Sequence, residues 1–132
     1  ATLHTTDAMQ TVDRMVDVFP PQQQQQIRMQ LAVTLGGVIC QSLLPLKGRP
    51  GRVASFEIMK ATPAIRAVIR EGKTHMIYNL IQSGADEGMI VLDQYLAGLV
   101  RNNLVEYEHA LAKSSYPNEF ARRCGISETA AT

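Results

Sequence analysis

The chain has 132 residues, 45% of them hydrophobic and 19% charged, with a formal net charge of +1. That length suits one domain, or one core piece with a small appendage, and the composition excludes a largely disordered polypeptide. The near-zero charge excludes a global pull toward nucleic acid or an anionic membrane, and no apolar run approaches the length of a transmembrane helix.

In chain order, the opening "ATLHTTDAMQ" has no initiator methionine and starts as if in mid-strand, which predicts a fragment of a longer protein. It also lacks the basic and apolar regions of a signal peptide, so a cytoplasmic location is expected. Thr6 and Asp7 are N-cap residues for a first helix, whose apolar positions are Met9, Val12, Met15, Val16 and Phe19. Pro20-Pro21 ends that helix and opens a second, in which the run of glutamines is a solvated first turn and Ile27, Leu31 and Leu35 are the expected buried stripe. Gly36-Gly37 stops it. "VICQSLLP" and "RVASFEIM", joined by the turn-rich "LKGRPG", then read as a β-hairpin. A lone hairpin makes a poor core and calls for further strands.

From Thr62 onward the pattern is helical. Thr62-Pro63 caps and starts a helix that Gly72 closes, and Thr74 is expected to cap another over His75–Ser83. "MIVLDQYLAGLVRNN", "EYEHALAKSS" and "NEFARRCG" supply three more, and residues 126–132 are expected to fray.

Gly72-Lys73-Thr74 is the ending of a phosphate-binding loop, G-x-x-x-x-G-K-[ST]. The first glycine of that pattern falls on Ala67, and no strand feeds the segment. The tripeptide therefore reads as helix punctuation. On the same helix Ala64, Ile65, Val68 and Ile69 form an apolar face, while Arg66, Arg70 and Lys73 form a basic stripe. Like charges one turn apart cost about 0.2–0.5 kcal/mol. Position near a helix C-terminus offsets this for Arg70 and Lys73 by roughly 0.3–1 kcal/mol, but not for Arg66. The stripe is either a solvated face or a docking surface for acidic groups.

Several segments together resemble the retraction ATPases of type IV pili, in the secretion-ATPase superfamily. "TLHTTDAMQTVDRMVDVFPPQQQQQIRMQL" is similar to that family's His box and following helix pair. "GRVASFEIM" is similar to its strand before the C-terminal domain, "ATPAIRAVIREGKTHMIYNLIQSG" to the segment with the A-I-R-N-L-I-R-E retraction motif, and "GMIVLDQYLAGLVRNNLVEYEHAL" continues the match. The resemblance covers roughly residues 2–125. It implies an α/β remnant of a RecA-like P-loop ATPase core over residues 1–60, a small all-helical C-terminal domain over 61–125, and a flexible tail over 126–132. It further implies ATP and Mg in the intact protein, a cytoplasmic homohexamer at the inner-membrane base of the pilus, an inner-membrane platform protein as partner, and membrane association only through partners. Nucleic acid is not an expected partner.

By the same resemblance His4 is the His-box histidine near the terminal phosphate, a role that a single histidine at a strand end does not itself indicate. Ala64, Ile65, Arg66, Ile69, Arg70 and Glu71 match the retraction motif, while Ala67 and Val68 stand where the family has Asn and Leu. The Walker A loop and the Mg-holding acid of the family lie before the His box, so no complete ATP site is expected within this chain, and the chain alone is expected not to hydrolyse ATP. An extension-type ATPase would carry a cysteine-rich zinc insertion that this sequence lacks; the other branch of the retraction group resembles the motif less well.

Elsewhere, Cys40 and Cys124 form no CxxC and read as reduced structural thiols. Glu57, Glu71, Asp86 and Glu87 read as surface charges, and His75 and His109 as cap or solvent-facing residues without metal-ligand spacing. Tyr78, Tyr95 and Tyr107 are expected at the core edge, and Met9, Met15, Met29 and Met59 in the core. A reading of a different class is a helical nucleic-acid-binding or interaction module, with "VRNN" as the turn of a helix-turn-helix; the absence of a concentrated basic face argues against nucleic acid.

Overall fold

The structure, a computed structural model, describes residues 2–125. Helices α1 (Ala8–Asp17) and α2 (Pro21–Thr34) precede an antiparallel hairpin of β1 (Gly37–Pro45) and β2 (Arg52–Lys60). Five helices follow: α3 (Pro63–Arg70), α4 (Ile77–Ser83), α5 (Leu92–Arg101), α6 (Tyr107–Lys113) and α7 (Pro117–Arg123), with 3-10 turns at Thr74–Met76 and Ala85–Glu87. The frayed tail expected over residues 126–132 lies outside the described residues.

Local chemistry accounts for most boundaries. Asp7 caps α1 by accepting the Gln10 amide at 2.8 Å, and Thr62 caps α3 by accepting the Ile65 amide at 3.3 Å, with Pro63 in the first turn. The hairpin pairs Gly37 with Lys60 through Pro45 with Arg52 in continuous register. Strict alternation along β1 buries Val38, Cys40, Ser42 and Leu44 and turns Ile39 and Leu43 outward. Among the described residues β1 has no strand neighbour on its other edge.

Two apolar clusters hold these elements together. The first gathers Ala8 and Val12 from α1, Ala32 from α2, Val38 and Cys40 from β1 and Met59 from β2 with Ile65, Val68 and Ile69 from α3 and Ile77 and Ile81 from α4. The second sets Leu44 of β1 against Leu92, Leu96 and Leu99 of α5, Ala110 of α6 and Phe120 of α7.

Four expectations are corrected. Thr74 is no helix cap: its hydroxyl donates to Asp13 at 2.7 Å, and the next α-helix begins at Ile77 instead of His75. Met89–Val91 is not helical, because Ile90 exchanges backbone hydrogen bonds with Ile58 on the free edge of β2 and α5 starts only at Leu92. On α2 the fully buried residue is Ala32, with Ile27, Leu31 and Leu35 only half-buried, because close packing against α3 favours a small side chain there. Met29 is 50% exposed and lies outside the core.

Candidate functional site

The glycine-lysine-threonine tripeptide holds no phosphate loop. Gly72 sits at φ 74°, the left-handed conformation that closes α3. Its amide donates to the Ile69 carbonyl at 3.2 Å and the Lys73 amide to the Val68 carbonyl at 2.8 Å, so both N–H groups are consumed by the helix end. Lys73 lies 3.6 Å from Glu71 across an exposed ion pair. The described residues also contain no group of three or more His, Cys, Asp or Glu side chains that could hold a metal ion.

His4 is exposed and lines a groove of about 780 Å³ between the N-terminal residues Thr2–Thr6 and β1, reaching Arg52 and Lys113. Next to it, the buried hydroxyls of Thr5 and Thr11 are hydrogen-bonded, and Thr11 also reaches Cys40 Sγ at 3.5 Å. None of the six residues that resemble the retraction motif, Ala64, Ile65, Arg66, Ile69, Arg70 and Glu71, lines this groove.

Those six divide by environment. Ile65 and Ile69 are fully buried, together worth several kcal/mol at roughly 1.5–3 kcal/mol per side chain. Ala64, Arg70 and Glu71 are exposed. Arg66 is half-buried, and its guanidinium Nη1 donates to the carbonyls of Ala32 at 2.6 Å and Val33 at 3.1 Å. These are two of the carbonyls that the end of α2 leaves without intrahelical partners, and a cation at a helix C-terminus also suits its dipole. Arg66 therefore belongs to the α2–α3 junction and not to a free basic stripe. Gln25 Nε2 ties the same two helices by donating to the Arg70 carbonyl at 3.2 Å. Val68 is 7% exposed within the first cluster.

The reading of Glu57 as a surface charge is overturned. It is 4% exposed, and its carboxylate accepts the Ala8 amide at 2.6 Å and the Leu92 amide at 2.9 Å. Asp93, fully buried, accepts the amides of Ser115 at 2.9 Å and Tyr116 at 3.1 Å. Asp7 accepts the Ser115 hydroxyl at 2.9 Å in addition to capping α1. Burial pushes Glu57 up to about 7 despite its two amide donors, and burial also raises Asp93. The alternation of β2 carried a signal for Glu57, since Met59 facing inward requires Glu57 to face inward too. Glu71, Asp86 and Glu87 are exposed, as expected.

No family model matches the chain. The type IV pilus retraction ATPase PilT of Pseudomonas aeruginosa is 47% identical over 119 residues, covering 90% of this chain and 34% of that protein. A twitching motility protein of Neisseria gonorrhoeae is 48% identical over 109 residues, covering 83% of this chain and 29% of its own length. The P. aeruginosa type IV pilus ATPase PilU is more distant, 33% identical over 119 residues, with 90% and 31% covered. Among solved structures, the pilus retraction motor PilT with bound ADP matches with a TM-score of 0.80 at 39% identity, covering 92% of this chain and 33% of that one. The ATPase DotB of Legionella pneumophila matches with a TM-score of 0.65 over 83% of this chain and 29% of its own, and at 18% identity it speaks for the fold alone.

The fold is that of the secretion ATPases. Within that class the chain is a homologue of the pilus retraction ATPase PilT, and it spans about a third of the length of the curated relatives it matches.

Proposed function

We propose that the chain is the His-box and retraction-motif part of an ATP-hydrolysing motor that retracts type IV pili and powers twitching motility. The observation that carries this reading is the 47% identity to PilT over 90% of the chain. In this reading residues 1–60 are the end of a RecA-like core and residues 61–125 the helical C-terminal domain. The remaining two thirds of the protein supply the Walker motifs that hold ATP and Mg, and the protein works as a cytoplasmic homohexamer against an inner-membrane platform protein. In the same reading His4, which is exposed and lines the groove, is the residue that faces the nucleotide held by the rest of the core. The unpaired edge of β1 and its outward Ile39 and Leu43, 71% and 43% exposed, fit a sheet that continues into that core.

Two measurements test the reading. The chain alone is expected to show no Mg-ATP turnover, whereas the longer protein hydrolyses ATP; turnover by the purified chain contradicts the assignment of the site to the missing part. In the longer protein, Arg66→Ala and Arg70→Ala are expected to impair retraction and spare nucleotide binding. A loss of ATP affinity in either variant counts against the motif's placement away from the nucleotide.

A further inference from the structure

We propose that Glu57 is a positioning residue, a single carboxylate joint that fixes the segment following His4 against the C-terminal helices. Its meaning for the motor rests on the function proposed above; the joint itself rests on geometry. Ala8 is the first residue of α1, four positions after His4, and Leu92 is the first residue of α5. The first N–H groups of a helix have no intrahelical acceptor. Glu57 supplies one acceptor oxygen to each of these two helices, Oε2 to Ala8 at 2.6 Å and Oε1 to Leu92 at 2.9 Å. The positive ends of two helix dipoles therefore converge on one carboxylate. Its neighbour Ile58 adds the backbone pairing with Ile90, so the centre of β2 holds the start of α5 through both main chain and side chain.

Among the described residues no ion pair joins a cationic side chain to this carboxylate. The titratable groups around it are Asp7 from the α1 cap, Asp93 from α5, Cys40 from β1, and Tyr116 from the start of α7. Tyr78 of α4 stacks edge-on against Tyr116 at 4.5 Å, and both rings line a cavity of about 10 Å³ with Asp7, Glu57 and Ser115. Arg123 of α7 is committed to the Tyr78 hydroxyl at 3.3 Å and to Glu119 at 3.7 Å. The two helix ends are thus the main compensation for the ionised carboxylate. Protonation leaves one carboxyl oxygen as a hydroxyl, a poorer acceptor, and loosens one of the two ties. Because the group is held near pH 7, the state of the joint changes within the neutral range.

The test is an amide titration of the protein by NMR between pH 5 and pH 9. The Ala8 and Leu92 amide resonances are expected to move together with one common midpoint near 7. In Glu57→Gln both titrations vanish, because the amide does not ionise in this range, and its NH2 group replaces one acceptor oxygen and faces one of the two N–H donors, so that one of the two amides exchanges roughly tenfold faster. Separate midpoints in the wild type, or titrations that persist in Glu57→Gln, overturn the joint. The wild-type measurement needs no variant to fold. A protein that fails to retract pili but shows the shared midpoint refutes the function and leaves the joint standing; independent midpoints in a working retraction motor do the reverse.

Discussion

Glu57 shows at single-residue scale how a buried charge shapes stability. Its pKa lies at about 7 in the folded protein against 4.5 for the ordinary group, a displacement of roughly 3 kcal/mol at about 1.4 kcal/mol per unit. The folded value is raised, so the stabilisation is fully present below pH 4.5 and is lost as pH rises through about 7. Urea unfolding from pH 4 to 8 is expected to give a stability difference between wild type and Glu57→Gln that changes steeply across this window; a difference independent of pH contradicts it. The two motif arginines make a second contrast. Arg66→Ala strips a charged donor from two carbonyls at the end of α2 and is expected to destabilise the chain by about 1–3 kcal/mol. Arg70→Ala removes an exposed side chain and should stay within about 0.5 kcal/mol. Denaturant midpoints for the two variants separate these outcomes.

At the scale of elements, α3 is legible at both ends, since proline, a capping threonine and a left-handed glycine each have a local mechanism. Gly72 at φ 74° also packs close to Arg28: a Cβ there would lie 3.4 Å from its Nε. Gly72→Ala is therefore expected to cost about 1–2 kcal/mol by thermal unfolding, chiefly from the left-handed backbone. The elements that escaped sequence reasoning are those set by tertiary pairing. Ile90 looks helical in "MIVLDQ", yet a free edge of β2 recruits it into a bridge. Thr74 has capping chemistry, yet Asp13 from α1 claims its hydroxyl. The same limit applies to the site. His4 and the motif enter only through the resemblance, and nothing in the spacing of Arg66 reveals that it reaches across to the carbonyls of α2. Asp93 stands as one acid in an apolar run, and its partners Ser115 and Tyr116 lie more than twenty residues downstream.

Across the described residues, the apolar clusters are built from short elements packed round a hairpin whose β1 edge has no strand neighbour, and no helix is long and apolar enough to cross a membrane. An unpaired strand edge with an apolar outer face is a template for other strands. Ile39→Lys on that face is expected to leave the stability of the isolated chain within about 0.5 kcal/mol while reducing its concentration-dependent association, read by analytical ultracentrifugation. The edge of β1 also gives an experimental handle. Because it is long, regular and already ordered, it invites fragment complementation: on the function proposed above, the Walker-motif part of the motor, produced as a separate polypeptide, should dock in trans and give ATP turnover in a mixture in which neither piece alone shows any. An Ile39→Lys chain should then fail to complement, turning a solubility gain in the part into a loss of assembly in the whole.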